Sequence, residues 1–170
     1  MRLLSIFLMG LLLLTGQCIA STKTTYGYIE NATLVEKNLT LPAKLDTGAR
    51  SSSLHAVDIK KEKINGKTYI RFTVPHQGGK ATFLYEYYGK VSIKARTQEI
   101  EHITRPVVWI KIKLGGQEQT IRVNLTNRAN FLYPLLLGRQ AIVAFNGMVD
   151  PSIKYAILNE PPHKQEDPHA

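Results

Sequence analysis

The sequence predicts an all-β protein with one short helix, and three observations carry that prediction. Apolar and polar residues alternate at the two-residue period of a strand, most clearly from Val107 to Leu114. Asn-Gly and Gly-Gly pairs interrupt the alternating runs where a tight turn has to reverse the chain. A helix is expected at only one place, the short stretch Gln140 to Phe145, which ends at Asn146-Gly147.

In chain order, Tyr26 to Val35 and Leu39 to Leu45 are short β-type runs, and the second leads directly into Asp46. Ile59 to Lys63 and Thr68 to Val74 flank Asn65-Gly66, a pair suited to the positive φ angles of a hairpin turn. Phe83 to Ala95 is rich in Tyr, Phe, Val and Ile, and reads as one strand or as two broken near Gly89. From Val107 to Leu114, Val108, Ile110, Ile112 and Leu114 alternate with Trp109, Lys111 and Lys113, so one face should be wet. Gly115-Gly116 turns the chain, and Thr120 to Leu125 returns with Ile121, Val123 and Leu125 on one side. Leu135-Leu136-Leu137, ending at Gly138, is the uninterrupted apolar run of a strand buried on both faces.

The N-terminus reads as a leader. Arg2 precedes an apolar run from Leu3 to Leu14, and Cys18-Ile19-Ala20 offers the small residues of a cleavage site. The run is shorter than the roughly 20 apolar residues of a permanent membrane helix. Gln17 in front of Cys18 argues against lipidation. We therefore expect residues 1–20 to be a cleaved signal peptide, a periplasmic or secreted domain over 21–158, and no stable membrane insertion; an uncleaved anchor is the alternative. The tail 159–170, with Pro161, Pro162 and Pro168, is expected to be disordered.

The only cysteine, Cys18, leaves with the leader, which excludes disulfides, thiolate metal sites and a cysteine nucleophile from the mature chain. Lys and Arg number 22 against 13 Asp and Glu, a net charge of +9 that favours an acidic partner or simply a solvated basic surface. Nucleic acid is not expected as a partner, because the leader points to export and no nucleic-acid-binding motif is present.

The chemically loaded segment is Lys44-Leu45-Asp46-Thr47-Gly48-Ala49-Arg50, followed by Ser53-Leu54-His55-Ala56. An apolar strand delivers a carboxylate at its end, and Gly48 lets the backbone turn sharply and leaves that carboxylate open on one side. The Gly48 amide and the Thr47 hydroxyl are placed to hold the Asp by hydrogen bonds. By itself Asp-Thr-Gly is a weak signal, since all three are ordinary turn residues. Tyr133-Pro134-Leu135-Leu136-Leu137-Gly138-Arg139 and Leu125-Thr126-Asn127-Arg128 make the pattern specific.

Taken together, these motifs resemble the retropepsin-like aspartic proteases. More closely, they resemble the group formerly labelled ATP-dependent zinc proteases and associated with ribosomal-protein glutamate ligases. The resemblance spans about residues 26–158 and departs from the cytosolic members in carrying a leader. It implies a closed β-barrel of the acid-protease type, in which the apolar-apolar-Gly strand packs on the Asp-Thr-Gly loop. It also implies an aspartic endopeptidase whose catalytic residues are Asp46, Thr47 and Gly48, with Ala49, Arg50, His55, Arg128, Gly138 and Arg139 as substrate-binding or supporting residues. Such enzymes need two carboxylates sharing one proton. With a single Asp-Thr-Gly in the chain, the second is implied to be Asp46 of another subunit in a homodimer. Within the chain the rivals are Asp150, which otherwise reads as a turn residue before Pro151, and Asp58.

Several roles stay open at this level. Arg128 and Arg139 orient the site or the acidic end of a substrate, or else stabilise the fold through ion pairs. His55 is a site residue or a structural histidine. Phe83 to Arg105 is a candidate flap over the cleft. No cofactor is expected: the histidines (His55, His76, His102, His163 and His169) show no close metal-ligand spacing, and no glycine-rich loop with a lysine supports ATP use. The serines 51 to 53 lack the strand–turn–helix context of a serine nucleophile. Two function classes follow. One is an exported aspartic endopeptidase acting on a peptide or protein, with an acidic peptide as the candidate the basic charge favours; the other is a non-catalytic peptide- or glycan-binding module of the cell envelope on the same fold.

Overall fold

The computed structural model describes residues 22–94 and 102–159, so the expected leader and the tail from residue 160 onward lie outside the described residues. Strand alternation builds the architecture. Val108, Ile110, Ile112 and Leu114 of strand β8 (His102–Leu114) are buried, while Trp109 on the opposite face is 41% exposed. Ile121, Val123 and Leu125 of β9 (Gln117–Thr126) are buried beside them. Each such side chain withdrawn from water stabilises the fold by roughly 1.5–3 kcal/mol.

Register closes the sheet. β1 (Thr24–Leu34) turns through one 3-10 turn at Val35–Lys37 into β2 (Leu39–Asp46). The order then runs β1, β2, β10 (Leu135–Gly138), β3 (Ser52–His55), β9, β8, and β8 returns to β1 through Ala32↔Leu114 and Leu34↔Ile112. The result is a closed six-stranded barrel, which leaves no open edge along those strands. Two strands extend it: β7 (Gly89–Lys94) pairs with the start of β8, and β11 (Gly147–Lys154) runs parallel to the start of β1. A separate three-stranded sheet of β4 (Val57–Ile64), β5 (Lys67–His76) and β6 (Gly79–Glu86) shares the barrel's hydrophobic core. Phe72 and Phe83 stack in it at 5.5 Å, with Tyr85 6.1 Å from each.

Among the described residues the all-β barrel carries a single short α-helix, α1 (Arg139–Ala144), which is the fold class that the sequence predicts. Asn65 and Gly66 take φ of 49° and 78° in the β4–β5 turn, as their pairing predicts. The run from Phe83 divides before Gly89, and its two halves belong to different sheets. The candidate flap over Phe83 to Arg105 is therefore β6, β7 and the start of β8, with residues 95–101 outside the described ones. In β10, Leu135 and Leu137 are buried and Leu136 is half-buried on the other face. β3 and β11 have no counterpart among the expected strands. Among the described residues no helix is long and apolar enough to cross a membrane.

Candidate active site

Asp46 is the last residue of β2, and the chain turns immediately after it. Its Oδ1 accepts hydrogen bonds from the amides of Gly48 (3.0 Å) and Ala49 (3.2 Å). A Cβ at position 48 would stand 3.2 Å from that oxygen, so glycine keeps the carboxylate uncrowded. Lys44, two residues earlier and thus on the same strand face, places its Nζ 3.5 Å from Oδ2. Burial raises the Asp46 carboxyl, but the Lys44 charge and the two amides outweigh it and hold the group below the ordinary Asp value. The carboxylate is therefore held at Oδ1 by two backbone amides, with the Lys44 ammonium beside Oδ2. Thr47 is exposed and joins the loop through its carbonyl, which accepts from the Arg139 guanidinium at 3.1 Å; the amides of Gly48 and Ala49, rather than the expected Thr47 hydroxyl, hold Asp46.

β10 supplies the support. It enters between β2 and β3, parallel to the first and antiparallel to the second, and sets Gly138 opposite Asp46. Its Gly138 amide donates to Ser52 Oγ at 3.2 Å. A Cβ there would meet the Ser51 carbonyl oxygen at 2.6 Å and the Ala49 carbonyl oxygen at 2.9 Å, so only glycine lets β10 approach the loop. Arg139 follows, donating from its amide to the Ala49 carbonyl (2.8 Å) and from its guanidinium to the Thr47 and Gly48 carbonyls. The Gln140 amide donates to the Arg50 carbonyl at 3.2 Å. Asp46, Thr47, Gly48, Ala49, Arg50, Gly138 and Arg139 thus form one interlocked unit.

A barrel strand ending in an amide-held carboxylate, backed by an apolar-apolar-Gly strand, is the arrangement that known proteins can be compared with. The model of the family described as retropepsin-like aspartic endopeptidase RimB matches residues 25–160. The chain belongs to that family. A crystal structure of Lpg0085, a Legionella pneumophila protein of unknown function, superposes on this member with a TM-score of 0.72 at 54% identity. It covers 80% of this chain and 99% of its own. Two probable alpha-L-glutamate ligases, from Shewanella halifaxensis and Shewanella pealeana, are 35% and 34% identical over 121 residues, 69% of this chain. The chain spans about a quarter of the length of those curated relatives, since the match covers 26% of each.

The remaining expected residues of this RimB-like chain lie elsewhere. His55 ends β3, three residues beyond Ser52 and so about 10 Å along the strand from the Asp46 loop. Its Nδ1 accepts from the Arg128 amide at 2.8 Å, and its own amide donates to the Pro134 carbonyl. Burial and the Arg128 charge push His55 below the ordinary imidazole value, against a hydrogen bond with the Thr126 backbone. Arg128 is buried, donating to Ser53 Oγ (2.7 Å) and the Tyr133 carbonyl (3.2 Å), with its guanidinium carbon 4.4 Å from the Phe131 ring centre. His55 and Arg128 therefore join β3 to the loop after β9, and the structure does not bring them to Asp46.

Neither intrachain rival meets Asp46. Asp150 lies on β11, which β1 separates from β2. Its Oδ1 is taken by the Ser152 amide and hydroxyl, which hold it below the ordinary Asp value, with no contribution from Asp46. This is the expected turn around Pro151, set inside a strand whose register with β1 shifts there. Asp58 is exposed, at φ 53°, in the other sheet. Among the described residues no three His, Cys, Asp or Glu side chains could hold a metal ion together.

Sequence reasoning missed Lys44 as a partner of Asp46, although its i,i+2 strand spacing signals a shared face. It also missed Asn124, buried with its amide on the Ser52 carbonyl (2.5 Å), Arg105, which donates to the Asn124 side chain, and Arg122, which shares a cavity with Arg50 and Ser51 of the loop.

Proposed function

We propose that this protein is an exported aspartic endopeptidase that hydrolyses peptide bonds with a carboxylate pair formed by Asp46 of two subunits. The observation that carries the reading is the Asp46 carboxylate, held through one oxygen by two backbone amides and backed by Gly138. In such a pair one carboxylate takes a proton from the attacking water while the other donates to the carbonyl oxygen of the scissile bond. Two carboxylates about 3 Å apart share one proton because both cannot ionise readily. One chain brings one such carboxylate, so a two-fold axis beside the loop completes the site.

Export is supported by the apolar run Leu3 to Leu14 and the small residues before Ser21. An acidic peptide substrate is supported by the net charge of +9 and by the glutamate-ligase names of the curated relatives. The test combines peptidase assays on wild type and Asp46→Asn with the mass of the active species in solution. The reading expects hydrolysis that disappears with Asp46→Asn and belongs to a dimer. Hydrolysis undiminished by that substitution contradicts it, and peptide binding by a monomer without hydrolysis favours a binding module instead.

A further inference from the structure

We propose that the aromatic cavity at the seam between the two sheets is a binding site for a basic side chain, lysine or arginine, of a peptide. The cavity, about 360 Å³, is lined by Tyr85, Glu86, Tyr87, Tyr88 and Trp109. That volume lies at the lower end of the range for ligand sites, with room for one side chain and the backbone that carries it. None of its walls belongs to the Asp46 loop, and the inference does not rest on the peptidase reading.

The chain builds this corner by crossing from one sheet to the other. Tyr85 and Glu86 end β6, and Trp109 stands on the wet face of β8. Between them the Tyr87 amide donates to the Thr68 carbonyl of β5 (2.9 Å) and the Tyr88 amide to the Val107 carbonyl of β8 (3.1 Å). The crossing is thereby pinned to both sheets. Tyr85 is fixed by its stacking on Phe72 and Phe83. Tyr88 meets Trp109 edge-on, with ring centres 5.3 Å apart and planes at 78°. The rings are thus set before a ligand arrives, so little side-chain freedom is lost on binding. Yet Tyr88 is 53% and Trp109 41% exposed, an aromatic corner left in water.

The chemistry of the walls selects a cation. Ring faces attract positive charge, Trp most strongly, and Glu86 adds a carboxylate, whereas no Lys or Arg lines the cavity. Two of the rings already hold cations of the chain itself. Lys61 Nζ stands 4.0 Å from the Tyr87 ring centre and the Arg122 guanidinium carbon 4.8 Å from that of Tyr88. Among the described residues no cation stands over Trp109, the ring best suited to one. Glu86 is met by Lys67 at 3.3 Å, but both side chains are more than half exposed, and such a pair contributes little. A ligand cation held by Glu86 and Trp109 therefore displaces Lys67 at small cost. An acidic ligand would meet the Glu86 charge, and a neutral one would gain burial alone.

Trp109 is the single tryptophan of the chain, so intrinsic fluorescence of the full chain reads this cavity directly. The probes are the N-acetyl amides of lysine, arginine and norleucine, the last having the chain length of lysine without its charge. The lysine and arginine amides are expected to change the emission saturably and to bind about fivefold or more tightly than the norleucine amide. Glu86→Gln should remove most of that preference and leave the norleucine response in place. Lys67→Met, which releases Glu86 from its pair, should tighten the lysine amide about two- to threefold. Both substitutions are at exposed positions, and circular dichroism confirms that each variant is folded. Equal binding of the norleucine amide, or a preference unchanged by Glu86→Gln, overturns the site. So does a response to choline chloride with none to the lysine or arginine amide. Any of these failures leaves the peptidase reading standing, since no step of the titration depends on Asp46.

Discussion

At Asp46, the geometry of a single residue sets both its chemistry and its pH response. Lys44 and two amides favour the ionised carboxylate over the opposing effect of burial. A carboxyl with a depressed folded value contributes stability that is present above its unfolded value and is lost as pH falls through the folded one. Lys44→Met should raise the Asp46 titration midpoint toward the ordinary range, read by carbon NMR of labelled Asp, and shrink that contribution. A midpoint unmoved by the substitution would mean that the exposed lysine acts only weakly. Gly138 makes a sterically harder demand. Gly138→Ala pushes a methyl into the Ser51 and Ala49 carbonyls. It should cost about 2–3 kcal/mol in urea unfolding and reduce any hydrolysis by tenfold or more, on the order expected for a displaced reacting group. Lys44 and Gly138 were both present in the sequence pattern. The resemblance implied that the strand ending at Gly138 packs on the loop almost ninety residues earlier; the carbonyls that exclude a Cβ there are seen only with β10 in place between β2 and β3.

At the scale of elements, strands announced by alternation were legible and those made by context were not. β8 and β9 bury one face and wet the other, which period alone reveals. β3 is only four residues long, Ser-Ser-Leu-His, and exists because β10 and β9 flank it. β11 holds an Asp-Pro pair that reads as a turn, and it survives as an edge strand because Pro151 falls at a register shift. The join between β3 and the loop after β9 supplies the prediction at this scale. His55 is neutral where Arg128 pins it, and its folded value lies below the unfolded one. Stability from this group is thus full above the ordinary imidazole range and declines as pH falls below it. Urea midpoints should drop from pH 7 to pH 5 in wild type and change less in His55→Gln. Arg128→Met should cost about 2–3 kcal/mol by stranding Ser53 and the Tyr133 carbonyl. Both residues looked like site candidates in the sequence because their motifs accompany Asp-Thr-Gly; strand direction places them at the other end.

For the whole molecule, the excess of basic residues and the single Asp-Thr-Gly become one argument. A chain of net charge +9 should capture acidic peptides with a dependence on salt, so KM for a glutamate-rich peptide is expected to rise with ionic strength while kcat changes little. Equal salt response for a neutral peptide would disconnect the charge from recognition. The barrel itself closes without a partner, so in the proposed reading it is the shared carboxylate pair, and not the fold, that calls for a dimer. The most direct measurement mixes wild type with Asp46→Asn at constant total protein, allows subunits to exchange, and follows peptide hydrolysis. A pair shared across two chains predicts activity falling with the square of the wild-type fraction, to about a quarter at equal parts. A straight proportional decline, to about half at equal parts, would mean that each chain works alone and would contradict the shared carboxylate pair.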